Sequence, residues 1–391
     1  MFLITLLSLI LAQPEPQLQP VAAAAPVTTV DDAIARAVEI ILTLQEGDAK
    51  DRWPYEGVYR VEGKIPIGYE VGGTAICATA LMRAPGYEGD AARSAAVSRG
   101  ARFVCEAIAH PLMSIDDYDA GYDVRWWGYT YGLAFLLEAK ARQAVPAESV
   151  PPELVEKAIA FYLDGVHRTE IPGVGGWNYA RPRGRDKPAP PSSFMTGPTL
   201  LALFEAKRQG YTVDADVVSR ALDTLAAART PAGGVVYSGK AGENPRDAVP
   251  GATGRMLAAE TTLFLAGGGR GSVAGIRGAL DAFITHWEWL EKRRAQPGTH
   301  VGPYAIAPYY FYYAHYHAAM AVEMLPEGER AEYRRRVHEL IFRTRGEDGS
   351  WNDRVFPRSA AYGTAMSSMA LLMPRTPIPA TWVEQLDRPP E

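Results

Sequence analysis

The sequence predicts an all-α fold, an (α/α)6 toroid in which six helical hairpins close into a ring. A segment with a glycine turn and an aromatic residue recurs along the chain, each time before a helix start made of small residues. Amphipathic helical patterns alternate with patterns that are apolar on all sides, which requires an outer and an inner ring of helices. The first and last repeats resemble the middle ones and lack the polar caps of an open array, which indicates closure.

The repeated unit is clearest near the C-terminus, where the turn 348–351 (DGSW) precedes the helix start 362–365 (YGTA). Earlier turns at 52–57, 175–179 and 233–237 precede helix starts at 71–75, 196–198 and 253–255 in the same way. Glycines mark five of the inner helices and recur at intervals of about 60 residues, which fits one hairpin per repeat. These glycines are Gly73, Gly132, Gly197, Gly254 and Gly363.

The helical periodicity places twelve helices in a single domain, predicted to cover residues 28–374. Outer helices are predicted at 30–45, 90–110, 152–167, 214–228, 273–292 and 327–345. Inner helices are predicted at 72–83, 126–141, 194–207, 254–266, 309–325 and 360–373. Thr29 before the first outer helix and Pro152 at the start of the third are typical helix-start signals. Residues 375–391 form a proline-rich tail that we expect to pack loosely.

Composition bounds the partners and the location. With 47% hydrophobic and 22% charged residues in 391, the chain can bury a large core. A net charge of -5 with interspersed signs excludes a nucleic-acid-binding surface. Residues 1–12 are apolar, uncharged and too short to span a bilayer. They match the apolar region of a signal peptide, followed by a Pro/Gln/Ala-rich spacer to residue 27, so we expect a periplasmic or extracellular protein, with a short membrane anchor as the alternative.

The cysteines and histidines do not predict a metal or cofactor site. Cys77 and Cys105 lie in apolar helical contexts, which favours buried, unreactive thiols, although a single disulfide would suit an exported protein. Neither cysteine stands at a metal-ligand spacing from a histidine. We therefore predict no metal and no cofactor.

Two of the repeats carry a family resemblance. Asp348-Gly349-Ser350-Trp351 followed by Tyr362-Gly363-Thr364-Ala365 resembles the repeat of the squalene cyclase and protein prenyltransferase β-subunit superfamily. Gly175-Gly176-Trp177 is similar to the Gly-Gly-Trp tag of the same repeats, and the resemblance covers roughly residues 29–374. It implies a toroid that binds an apolar, isoprenoid-like ligand in a central aromatic cavity and possible turnover of that ligand. It does not imply one activity, because the architecture hosts cyclases, prenyltransferases and thioester-domain relatives.

The resemblance also names a candidate acid pair. Class II terpene cyclases protonate an alkene with a DxDD motif, which needs a carboxylic acid kept protonated beside a carboxylate. Here the pattern at 114–117 is SxDD, so the first aspartate is missing. Asp116 and Asp117 are the catalytic candidates of this segment, and a solvated acidic loop is the alternative interpretation.

Aromatic residues are dense at two inner-helix starts, where they could stabilise a carbocation, stack on sugar rings or simply fill the centre. The candidate ligand-binding residues are Trp126, Trp127, Tyr129, Tyr309, Tyr312, Tyr313, Tyr316, Trp177 and Arg125.

His315 and His317 are further catalytic candidates. Either resembles the zinc-binding histidine of protein prenyltransferases, but Ser350 stands where that family has a thiolate, which argues against zinc. Tyrosine, histidine and arginine could instead serve a secreted glycan lyase or hydrolase of the (α/α) toroid type, with a small glycan as ligand. A non-catalytic binding scaffold is the third alternative.

Overall fold

A computed structural model describes residues 29–116, 124–179, 181, 183–239 and 247–383. Within these ranges the regular secondary structure is helical, and the β-type pairs are isolated bridges. The α-helices are α1 (Val30–Thr43), α2 (Ile67–Arg83), α3 (Ala91–Glu106), α4 (Arg125–Ala141), α5 (Pro152–Arg168), α6 (Ser193–Arg208), α7 (Ala215–Ala227), α8 (Val249–Ala266), α9 (Val273–Glu291), α10 (Tyr310–Val322), α11 (Glu327–Phe342) and α12 (Ala360–Leu372).

The helices form two concentric rings, as the sequence predicts. The even-numbered helices form the inner ring, in which each contacts the next and α12 contacts α2, so the ring closes. Each odd-numbered helix packs outside, chiefly against the inner helix before it in the chain, and α1 packs against α12. Because outer and inner helices run in opposite directions, all inner helices begin at one mouth of the ring and end at the other.

Two inner helices begin earlier than the glycine pattern suggests. Helix α2 begins at Ile67 rather than at residue 72, and α8 begins at Val249 rather than at residue 254. The glycine is therefore inside the helix and serves close packing. A Cβ at Gly73 would lie 2.3 Å from the carbonyl oxygen of Trp53, so only glycine lets the preceding loop touch the helix.

The tryptophans of the repeat fasten each loop to its hairpin. In three repeats the indole N–H donates to a carbonyl in the last turn of the outer helix, where carbonyls lack helical partners. The backbone N–H of the same tryptophan donates to a threonine hydroxyl of the inner helix. The sets are Trp53 with Ile41 (2.6 Å) and Thr74 (2.9 Å), Trp177 with Val166 (2.9 Å) and Thr196 (3.2 Å), and Trp351 with Ile341 (2.9 Å) and Thr364 (3.1 Å).

The cysteines are packing residues in this structure. Cys77 and Cys105 are both free and buried. Burial raises the pKa of both thiols, that of Cys105 to about 12, so neither forms a thiolate readily. No helix in the described part of the chain is long and apolar enough to cross a membrane.

Candidate functional site

A central cavity of about 780 Å³ lies at the carboxyl-terminal ends of the inner helices. Arg83 is the last residue of α2, Glu138 lies in the last turn of α4, and Glu205 lies in the last turn of α6; all three line it. Helices α10 and α12 complete the wall, to which α8 contributes no described residue. The apolar part of the wall consists of Ala75, Ile76, Ala134, Phe135, Pro198, Leu201, Ala202, Met320, Met366, Met369 and Met373.

Aromatic side chains fill the amino-terminal half of the ring beside α2, α4 and α12. The rings of Tyr55 and Trp127 are stacked with centroids 4.9 Å apart, and Tyr362 lies 4.8 Å from Tyr55. Tyr131 lies 5.1 Å from Trp127 and also faces the cavity. We call Tyr55, Trp127, Tyr131 and Tyr362 the aromatic plug, because they close the axis of the ring on that side.

An ion pair crosses the cavity wall between α2 and α4. Arg83 donates from Nε and Nη2 to the Glu138 carboxylate at 2.9 and 2.7 Å, a bidentate arrangement. Arg142 donates to the same carboxylate at 2.9 Å. Burial alone would raise the pKa of Glu138, but the charges and hydrogen bonds of the two arginines outweigh it and lower the pKa. Glu138 is therefore ionised and cannot act as an acid.

Three polar side chains of the cavity are less well satisfied. His317 is only 3% exposed, and its Nδ1 has no hydrogen-bond partner in the described part of the chain. Burial lowers the pKa of His317 to about 3, so the ring is neutral at physiological pH. The Nη1 of Arg83 reaches only the Tyr316 hydroxyl at 3.4 Å and the Met369 sulfur at 3.9 Å. The Tyr131 hydroxyl has no hydrogen bond to any described residue.

The C-terminal segment crosses the mouth of the cavity. Residues 375–383, here called the C-terminal strap, run from α12 to the far side of the ring, and residues 375–380 line the cavity. The Trp382 backbone N–H donates to the Leu265 carbonyl at 3.0 Å, and its ring lies 5.7 Å from Phe204. Lys207 lies 4.1 Å from the centre of the Trp382 ring and donates to its carbonyl at 2.8 Å. The strap is thus fixed at its far end, not only loosely packed.

Comparison with known proteins is informative for the fold. No family model matches the chain, and no curated protein does. Solved structures do: the GH76A α-1,6-mannanase of Salegentibacter sp. HEL1_6 superposes with a TM-score of 0.56 at 10% identity, over 88% of this chain and 100% of that chain. Unsaturated glucuronyl hydrolase of Bacillus sp. GL1 gives 0.57 at 13% identity, over 91% and 100%. The chain is an (α/α)6 toroid.

A terpene cyclase shares this toroid. The type II terpene cyclase MstE of Scytonema, in complex with geranylgeranyl dihydroxybenzoate, superposes with a TM-score of 0.51 at 12% identity, over 89% of this chain and 98% of that chain. At such identities these similarities establish the fold alone. In the described part of the toroid, no group of three or more His, Cys, Asp or Glu side chains could hold a metal ion.

Of the residues predicted from sequence, Tyr316 and His317 line the cavity of the toroid. His315 does not: its Nε2 accepts from the Trp287 indole at 2.8 Å, and its Nδ1 lies 2.7 Å from the Phe311 carbonyl. Nδ1 therefore carries the proton, both nitrogens are satisfied, and the imidazole is directed at the outer helix α9. Burial lowers the pKa of His315 to about 4, so this histidine is a neutral packing residue.

Most of the predicted aromatic residues are held by hydrogen bonds inside the toroid wall. Their partners are Thr199 for Trp126 (2.6 Å), the Met113 carbonyl for Tyr129 (2.8 Å), Thr344 for Tyr312 (3.3 Å) and the Phe194 carbonyl for Tyr313 (3.0 Å). Trp127 belongs to the aromatic plug, and Trp177 is one of the loop-fastening tryptophans. None of these six side chains lines the cavity.

The remaining predicted residues lie near the opposite mouth. Asp116 has a side chain that is 77% exposed and paired with Arg168, as the solvated-loop interpretation expects, and Asp117 lies outside the described residues. Arg125 donates to the Ser114 carbonyl at 2.5 Å.

Tyr309 belongs to a hydrogen-bonded chain at that same opposite mouth. Its hydroxyl lies 3.0 Å from Nε2 of His300 and 3.2 Å from the Tyr179 hydroxyl, which lies 3.0 Å from that of Tyr237. His300 was not predicted from the sequence, because nothing around it repeats.

Proposed function

We propose that this toroid binds an apolar, isoprenoid-like ligand in its central cavity. The supporting observation is the chemistry of the wall. Four methionines and the small and aliphatic side chains of five inner helices surround about 780 Å³, a volume within the range of small-molecule sites. Methionine side chains are flexible and polarisable, so they adapt to an irregular hydrocarbon. Tyr316 and His317 are the proposed polar contacts.

The charged groups of the cavity favour binding over acid-initiated chemistry. A class II cyclase needs a protonated carboxylic acid, and a typical glycosidase needs two carboxyl groups with one protonated. The glutamates on the cavity wall are Glu138 and Glu205. Glu138 is held ionised by two arginines, and Glu205 accepts from Arg208 at 2.8 Å. MstE, whose complex holds a geranylgeranyl chain, supports such a ligand in a toroid by analogy only.

We also propose that the protein is exported, on the basis of the apolar residues 1–12. Mass spectrometry of the protein recovered from the expression host tests this. A mature chain that begins between residues 12 and 28 in an extracytoplasmic fraction is expected, and an intact cytoplasmic chain would contradict the proposal.

A glycan lyase or hydrolase is the second candidate. The observation that favours it is the chain of hydroxyls from Tyr237 through Tyr179 and Tyr309 to His300, which is suited to moving a proton at the loop mouth. Two of the structurally similar toroids act on glycans according to their names. If this candidate is right, new sugar ends should appear in a panel of uronate and neutral polysaccharides, and Tyr309→Phe should abolish them.

The decisive experiment for ligand binding is mass spectrometry of small molecules extracted from the purified protein. The variant Ala134→Trp places an indole in the cavity, whereas Ala95→Trp places the same group on the exposed face of α3 and serves as its control. We expect a stoichiometric lipid in the wild type and in Ala95→Trp and its loss in Ala134→Trp, with circular dichroism confirming that both are folded. Equal lipid content in all three proteins would refute the cavity as the site.

A further inference from the structure

We infer that the ligand of this cavity is an amphipathic monoanion, a carboxylic acid with a long apolar chain, whose carboxylate binds at Arg83. The inference rests on the proposed binding function and adds the head group and its position. It joins three observations: an unbalanced positive charge, an arginine with poorly used donors, and a buried histidine without a partner.

The first observation is the charge balance of the wall. Arg83 and Arg142 share the single carboxylate of Glu138. The other lining charges are paired one to one, Glu205 with Arg208 and Arg375 with Asp31, the latter at 2.7 Å. One positive charge therefore lacks a counterion among the described residues, and a monoanionic ligand would supply it.

Helix dipoles oppose this charge only weakly. The carboxyl ends of α2, α4 and α6 point to this mouth and carry partial negative charge, which fits the basic residues in their last turns. Such a dipole changes the affinity for a nearby charge by at most about fivefold for a surface-exposed group. A direct charge-assisted hydrogen bond contributes roughly 10- to 100-fold, so the guanidinium dominates.

The second observation is the orientation of Arg83. Its side chain is 15% exposed, and Nε and Nη2 are used by Glu138. The two N–H groups of Nη1 are left with a phenol oxygen at 3.4 Å and a thioether sulfur at 3.9 Å. Both contacts are long, and sulfur is a weak acceptor. A carboxylate oxygen would be a far better partner.

The third observation is the set of neutral polar groups next to that position. Tyr316 connects them, because its hydroxyl meets Arg83 and its ring lies 5.3 Å from His317. The unpartnered Nδ1 of His317 is costly in a buried site unless a ligand or water satisfies it. The Tyr131 hydroxyl also faces the cavity. Donors from Tyr131 and His317 could hold the second carboxylate oxygen while the methionines surround the chain.

Matched ligands separate the head group from the chain. Isothermal titration calorimetry with geranylgeranoic acid and geranylgeraniol compares head groups on one isoprenoid chain, and hexadecanoic acid with hexadecanol does so on a straight chain. We expect the wild type to bind the acids roughly 10- to 100-fold more tightly than the alcohols. The chain that binds more tightly identifies the source of the acid, isoprenoid or fatty.

The variants locate the head group. Arg83→Gln should remove the preference for acids and leave alcohol binding within about twofold, while Arg208→Gln at the exposed rim should keep the preference. Because Arg83→Gln alters a buried pair, the double variant Arg83→Gln/Glu138→Gln, which keeps the shapes and removes both charges, should show the same loss. Equal binding of acid and alcohol by the wild type, or an equal loss of both in Arg83→Gln, would overturn the inference. Failure of every chain to bind would instead refute the proposed function itself.

Discussion

Asp353, in the loop before α12, should make the stability of the toroid depend on pH. It is fully buried, and neither carboxylate oxygen has a hydrogen-bond partner among the described residues. Burial raises the pKa of this carboxyl from 3.8 to about 7, and the positive charges of Arg354 and Arg294 offset only part of the effect. Asp353 is therefore protonated in the folded protein at mildly acidic pH, where the unfolded chain is already ionised.

The size and the sign of the effect follow from proton linkage. A shift from 3.8 to about 7 corresponds to roughly 4 kcal/mol at 1.36 kcal/mol per pH unit. Because the folded-state pKa is raised, this contribution is complete below pH 3.8 and is lost as the pH rises through about 7. Asp353→Asn removes the titration. Between about pH 5 and pH 8, the free energy of unfolding of the wild type should fall by roughly 3 kcal/mol relative to that of the variant.

Urea denaturation followed by circular dichroism across this pH range measures the difference. Asp186→Asn is the control, because Arg185 lowers the pKa of that exposed carboxyl and the group is ionised in both states throughout the range. Difference infrared spectra should also show a protonated carboxylic acid near neutral pH that Asp353→Asn lacks. If the wild type and Asp353→Asn kept a constant stability difference over the whole range, the buried, protonated carboxyl would be disproved.

Two further predictions test packing and access. Gly73→Ala should destabilise the toroid by more than about 2 kcal/mol, because its Cβ would lie 2.3 Å from the Trp53 carbonyl oxygen, whereas Gly278→Ala, with nothing within 4 Å, should stabilise α9 by up to about 1 kcal/mol. Thermal melts of both check this, and equal effects would contradict the close-approach argument. Trp382→Ala should release the far end of the strap and speed dissociation of a bound ligand at least about threefold in stopped-flow displacement, by loss of about 1 kcal/mol or more of contacts. The exposed neighbour Val383→Ala should not change the rate, and an unchanged rate in Trp382→Ala would mean that the strap does not limit access.

The sequence predicts the fold well because the repeat is a packing device. Trp177 and Trp351 stand out in the sequence, and the structure shows why: each fastens a loop to both helices of its hairpin. The same regularity misleads a search for the site. Trp126 and Tyr129 attract attention as part of an aromatic run, yet their polar atoms are satisfied inside the wall.

The cavity could not be predicted in the same way, because its polar residues do not repeat. Arg83 and Glu138 each read as an ordinary charged residue near a helix end, and their pairing across 55 positions depends on closure of the ring. A usable signal was present: a charged side chain within an otherwise apolar helix has to find a partner or a ligand. His315 and His317 are two positions apart and look alike in sequence, and only the direction of each ring separates the packing residue from the cavity residue.

The cavity exists because the ring departs from its own symmetry at the end of α8. Five inner helices contribute side chains to the wall, while α8 contributes none of the described ones. At the end of α8 the Leu265 carbonyl instead receives the backbone N–H of Trp382, so the C-terminal strap completes the wall there. The strap has few backbone hydrogen bonds of its own, since Pro377 and Pro379 have no N–H to donate. It can therefore detach without unfolding a helix, which leaves the rigid inner ring to define the shape of the site and the strap to control entry.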